Sequence, residues 1–171
     1  MEFGLDENQR DAMLAMWQQL SEQELPEERL SYAGLQALPR LVEQVLNNGD
    51  QASLTASLIN PLYWHQTASY GHGLLARERR VPIDHAAYRL SWWLWLRLYN
   101  LANAKLWFDQ GQRYATLLLI DAEHQEPATC PLNNQTSVEL AAVLEQRLLV
   151  PSGFHCRHVL VIRAESIEHR T

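Results

Sequence analysis

The chain has 171 residues, 47% of them hydrophobic, and a formal net charge of -6. That length can bury a substantial core without disulfides or metal ions. The acidic balance argues against a sequence-independent grip on nucleic acid, which depends on Lys and Arg neutralising phosphates.

Charge is unevenly spread. Residues 1–50 carry ten acids and three bases, and residues 51–110 carry three and six. The acidic first third can pair with the basic middle inside the fold, or it can offer an acidic docking surface. Two cysteines, Cys130 and Cys156, lie far apart, and no positively charged start leads into an apolar core and cleavage site. A cytoplasmic protein with reduced thiols is expected, with a disulfide between the two left open.

Residues 6–22 read as an amphipathic helix, capped by Asp6 and turning Met13, Trp17 and Leu20 to one side. Pro26, followed by Glu27 and Glu28, marks a new helix start. Pro39 divides this second helical segment into a short turn up to Leu35 and a helix from Pro39 to Asn47, stopped at Asn48-Gly49. Residues 52–59 form one or two turns. Asn60-Pro61 then opens another helix, whose inward face is Tyr63, Thr67, Tyr70 and Leu74, with Gly71 and Gly73 at its end or at a close crossing.

The stretch from Asp84 to Trp107 dominates the sequence. As one helix it spans about 37 Å, the width of a small domain. Tyr88, Trp92, Trp95, Tyr99, Ala102 and Leu106 form one apolar row, and Leu94, Leu98, Leu101 and Phe108 a second. Val81-Pro82 ends the preceding segment, Asp84 is the expected cap, and Ile83 can staple to Tyr88. Arg89, Asn100 and Asn103 mark the expected wet row, which also contains Trp93 and Leu96. Arg97 and Asn100 in mid-run exclude a membrane span.

After a polar break, Tyr114 to Ile120 reads as a buried strand, Ser137 to Leu148 as a helix, and His158 to Ile162 as a second strand. That order predicts a right-handed crossover with parallel strands. A third strand is expected from Leu148 to Val150, from the tail, or from another copy through the sheet edge.

Catalytic patterns are sparse. His65 and His72 are seven apart, too far along a helix for a shared metal. His124-Gln125-Glu126 and Cys130-Pro131 are similar to pieces of the zinc-deaminase signature, but Asn133 stands where its second cysteine belongs. His155, Cys156 and His158 alternate sides on an extended chain, so His155 and His158 point opposite ways. Arg80 to His85 has R-x4-H spacing, which resembles the catalytic motif of HEPN ribonucleases. The resemblance implies a helical bundle in which Arg80 and His85 promote attack by an RNA 2'-hydroxyl. Pro82 lies inside the motif, placing Arg80 before the helix and His85 at its start.

The sequence therefore predicts a single α+β domain over residues 1–171, mainly α. Its helical part (1–112) surrounds the long helix, and a strand-helix-strand part (113–171) completes it. The expected function is a non-enzymatic cytoplasmic protein-binding factor: an adaptor, assembly chaperone or inhibitor. Trp64 and Trp93 are its expected partner anchors. No cofactor, metal, nucleic acid or membrane is expected. The alternative is a small RNA-cleaving enzyme using Arg80 and His85.

Overall fold

A computed structural model describes residues 5–20, 25, 27–71, 73–120 and 130–162. The chain runs through α1 (Glu7–Gln19), α2 (Tyr32–Asn48), α3 (Gln51–Leu58), β1 (Thr67–Tyr70), β2 (Arg77–Arg80) and α4 (Ile83–Asp109). It ends in β3 (Tyr114–Leu119), β4 (Ser137–Glu139), α5 (Leu140–Leu144) and β5 (His158–Val161). This is an α+β fold, mainly α, built around one long helix. Among the described residues no helix is long and apolar enough to cross a membrane.

The 27 residues of α4 serve two apolar clusters in succession. Leu90, Leu94 and Leu98 pack with Met13 and Trp17 of α1, Leu38 and Val42 of α2, and Leu54 and Leu58 of α3. Leu101 and Ala104 pack instead with Ala115 and Leu117 of β3, Leu140 and Val143 of α5, and Leu160 of β5. Because the helix is covered on nearly every side, the expected wet row does not exist. Asn100 and Asn103 are buried, as are Trp93 and Leu96, and Arg89 is half-buried; Arg97, outside that row, is buried too. Tyr88, placed by periodicity in an inward row, is exposed. The helix also begins without a side-chain cap, with Pro82 at the cap position and Asp84 inside the first turn.

The amino-terminal elements follow their capping chemistry. Asp6 forms a reciprocal capping box with Gln9, its carboxylate accepting from the Gln9 amide at 2.8 Å. Asp50 caps α3 in the same position, accepting from the Ser53 amide at 2.7 Å. Pro39, however, does not break α2, which runs unbroken from Tyr32 to Asn48. A proline inside a helix costs about 3 kcal/mol. Leu38, Leu41, Val42, Val45 and Leu46 are all buried on that helix, each contributing roughly 1.5–3 kcal/mol, so packing outweighs the missing hydrogen bond. Glu27 is not a helix-start residue either. It is buried in a forked ion pair with Arg29, whose Nε donates to its Oε1 at 2.6 Å.

The helix expected from Pro61 is one 3-10 turn, Pro61–Tyr63, followed by an antiparallel hairpin of β1 and β2. The reason lies in what the turn meets. Trp64 bridges Leu30, and the His65 amide donates to the Arg29 carbonyl at 2.9 Å, which draws the backbone into an extended path. Gly71 and Gly73 sit at φ of 94° and 55° in the hairpin loop, where a side chain would be strained, rather than at a helix end or crossing. His72 lies outside the described residues.

The carboxyl-terminal sheet has the order β4-β3-β5, and both pairings are antiparallel. Among the described residues no parallel crossover forms. The third strand comes from Ser137–Glu139, a segment expected to begin a helix, and the helix that remains is only Leu140–Leu144. β3 is buried on one face alone, through Ala115 and Leu117.

Candidate functional site

The carboxyl-terminal strand is positioned by side chains of α4. Asn100 is fully buried; its Oδ1 accepts from the Leu160 amide at 2.8 Å, and its Nδ2 donates to the His158 carbonyl at 3.1 Å. Just upstream, Arg157 Nη1 donates to the Phe154 carbonyl at 2.9 Å, and its guanidinium lies 5.3 Å from the centre of the Trp92 ring. Arg89 covers the other aromatic, its guanidinium 4.5 Å from the centre of the Phe154 ring, while Trp93 meets that ring edge-on. Segment 154–160 is thus fixed against the helix by interleaved arginine, aromatic and amide contacts.

That fixing brings three chemically distinctive side chains together. Cys156 Sγ lies 3.4 Å from His158 Nδ1, and Cys130 Sγ approaches the same nitrogen at 3.9 Å. Potential ligand atoms of Cys130, Cys156 and His158 all lie within 4.8 Å of one another. The Ser152 hydroxyl is 3.4 Å from Cys130 Sγ. His158 and Cys156 are buried and Cys130 is half-buried, so the group is reached from the Cys130 side. Both thiols are free, not joined in a disulfide. Burial pushes the Cys156 thiol above its usual range, against hydrogen bonds from His158 and Ser152 that favour the thiolate.

The sequence came close to this group without assembling it. Alternation along an extended chain separates His155 from His158, and the structure agrees: His155 is exposed and His158 buried. The same alternation puts Cys156 and His158, two apart, on one side. What local sequence could not supply was Cys130, brought in from 26 residues earlier, next to the buried Leu132. His155 stands apart, its imidazole pKa lowered first by burial and then by the charges of Arg89, Arg157 and His85.

The residues named for other roles are scattered. Trp64 is 3% exposed, and its indole N–H donates to the Leu58 carbonyl at 2.9 Å; Trp93 is 6% exposed. Both rings are consumed by the core, which corrects the expectation that they reach the surface. Arg80, exposed at the end of β2, lines a cleft with Leu62, His65, Thr67, Val81 and Ile83. His85 is not among the residues lining that cleft; it lies on the first turn of α4, near enough to His155 to depress its pKa.

Comparison with protein families, curated proteins and solved structures yields no match. The surface must therefore be read from its own chemistry.

Leu62, which lines the Arg80 cleft, and Tyr32, in the segment joined to it, are exposed. Tyr32 and Leu62 are 77% and 75% exposed, and Ser31 joins their segments by donating from its hydroxyl to the Leu62 carbonyl at 2.6 Å. All four residues of β2, Arg77 to Arg80, are exposed, and the hairpin carries no third strand among the described residues. Among the described residues no ion pair links Arg77, Arg79 or Arg80 to the acidic first third.

Proposed function

We propose that the chain is a non-enzymatic protein-binding factor, an adaptor, assembly chaperone or inhibitor, acting in the cytoplasm. One observation carries this reading: exposed Leu62 lines a cleft together with Arg80, the last residue of the basic, fully exposed strand β2, and exposed Tyr32 belongs to the segment that Ser31 ties to Leu62. Large apolar side chains at the centre of a patch with charge at its rim are the usual anatomy of a protein interface. The partner such a surface suits is a protein segment with an apolar side chain for the cleft and carboxylates for Arg77, Arg79 and Arg80. This replaces the tryptophan anchors by Tyr32 and Leu62, and moves the emphasis from the acidic surface to the basic hairpin.

An open strand edge adds main-chain hydrogen bonding, because a partner strand can extend the two-stranded sheet. A second copy of the chain could use the same edge, or that of β4, the outer strand of the other sheet. The net charge of -6 favours protein over nucleic acid as the partner class. Two free thiols support a reducing compartment. Nothing in the arrangement favours the RNA-cleaving reading, since the cleft holding Arg80 is not lined by His85.

Site-directed photo-crosslinking tests the proposal. A photoreactive residue at Arg79 should capture a defined protein in the source cell, and the adduct should disappear when Leu62→Asp is added. A probe at exposed Gln112, beyond the end of α4, should not capture it. Identical adducts from both positions, or none from Arg79, would end the proposal.

A further inference from the structure

We propose that Cys130, Cys156 and His158 form a binding site for a borderline-soft transition metal ion, with Zn2+ the ion they fit best. The geometry comes first. In a tetrahedral zinc site, Zn–S bonds of about 2.3 Å and Zn–N bonds of about 2.0–2.1 Å place sulfur and nitrogen ligands roughly 3.6 Å apart. The two sulfur-to-nitrogen distances here, 3.4 Å and 3.9 Å, straddle that value. The two sulfurs, which lie within 4.8 Å of each other, need a separation of roughly 3.8 Å in such a site, so an ion enters with a shift of at most about an ångström between the thiols.

Donor chemistry selects the ion. Two thiols and an imidazole suit Zn2+ and related ions, whereas Ca2+ and Mg2+ require oxygen ligands, and among the described residues the cluster contains no carboxylate. Three protein ligands leave a fourth position, for which the Ser152 hydroxyl, 3.4 Å from Cys130 Sγ, or a water is suitably placed. The scaffold is already rigid. Asn100 holds the backbone of His158 and Leu160 from α4, so the ligands on this strand need little ordering when the ion enters. Bound metal would tie the Cys130–Leu132 segment, whose Leu132 belongs to the second apolar cluster, to β5. This site is independent of the partner surface at Tyr32 and Leu62, and its assignment does not depend on that reading.

Two other states of the same atoms make the proposal falsifiable. The thiols could do no more than hydrogen-bond to the imidazole, or they could join as a disulfide, which requires the sulfurs to close to about 2.05 Å. The deciding experiment uses the full chain, purified, reduced and stripped of metal under anaerobic conditions, and titrated with Co2+ and then Zn2+. The expected result is one equivalent of Co2+ per chain. Its signature is a thiolate-to-cobalt charge-transfer band and visible absorption of tetrahedral intensity, displaced by one equivalent of Zn2+.

Cys130→Ser should weaken binding by more than the roughly 10- to 100-fold that loss of an outer partner causes. Its circular dichroism should match the parent's, because Cys130 is only half-buried. Cys156→Ser should act in the same direction. His155→Ala, beside the cluster but exposed, should leave the titration unchanged. Should Cys156→Ser fail to fold, Cys130→Ser and His155→Ala still decide the matter. The proposal is overturned by the absence of any thiolate band in the reduced parent, by a band that persists unaltered in Cys130→Ser, or by a Cys130–Cys156 disulfide in anaerobically isolated protein.

Discussion

The two halves of α4 are buried by different means. Around Leu90 and Leu94 the helix is covered mainly by apolar side chains of three other helices. From Arg97 to Asn103 it buries polar side chains, each directed at a particular acceptor or donor: Arg97 Nη2 donates to Gln146 at 2.9 Å, and Asn103 Oδ1 accepts from Gln9 at 3.2 Å. Asn100 holds β5. Apolar burial is tolerant of which neighbour supplies the surface, while a buried amide is not. The first half therefore gives bulk stability, and the second fixes one arrangement of strand and helix, including the placement of Cys156 and His158.

Substitutions in the two halves should separate these roles. The largest effect is expected for Asn100→Leu, which leaves the Leu160 amide and the His158 carbonyl buried without their partner. At about 1–3 kcal/mol for each abandoned group, urea denaturation should show a loss of about 4 kcal/mol. Reaction of Cys156 with a thiol reagent should quicken in the same variant. Leu94→Ala, in the first half, should cost about 3 kcal/mol through its cavity, yet leave thiol reactivity close to that of the parent under native conditions.

A third substitution probes the support of the proposed partner surface. A Cβ on Gly34 would sit 2.2 Å from the Tyr63 carbonyl oxygen, a backbone atom that cannot swing aside. Gly34→Ala should cost about 2 kcal/mol and shift the resonances of Tyr32 and Leu62, whose segments meet there.

The smallest effect should be that of Asp50→Ala, which removes the α3 cap and about 1 kcal/mol at neutral pH. Hydrogen bonds from the Ser53 hydroxyl and amide hold the Asp50 carboxyl below its ordinary range. The unfolded chain thus binds this proton more readily than the folded one. The contribution is complete above about pH 4, the unfolded value, and is lost as pH falls through the lower folded value. Denaturation midpoints of parent and Asp50→Ala should converge over that acid window.

The same division explains what could be read from sequence. Periodicity located α4 within two residues at each end, and a capping residue located the start of α1, because these depend on spacing and on groups three positions apart, whereas α3 was read only as one or two turns and its Asp50 cap was not singled out. Periodicity also assigned Asn100 and Asn103 to water, since residue type reports a preference and their partners lie far along the chain. The β1–β2 hairpin was hidden for a similar reason: Asn60-Pro61 does start a helical turn, and only the bridge from Trp64 to Leu30 ends it. Pairing direction in the second sheet depended on Ser137–Glu139 joining β3, which no local signal distinguishes from a helix start. Of the candidate metal site, the sequence showed the Cys156 and His158 pair, and tertiary structure alone supplied Cys130.

Native-state hydrogen exchange of the parent and Asn100→Leu tests the division of α4 most directly. Protection of the β3–β5 ladder, read at the paired residues Leu118 and Val159, should fall in the variant by clearly more than that of Val42 and Leu46 in α2. An equal loss at every one of these amides would mean that the helix serves a single undivided core, and that Asn100 has no special hold on the strand.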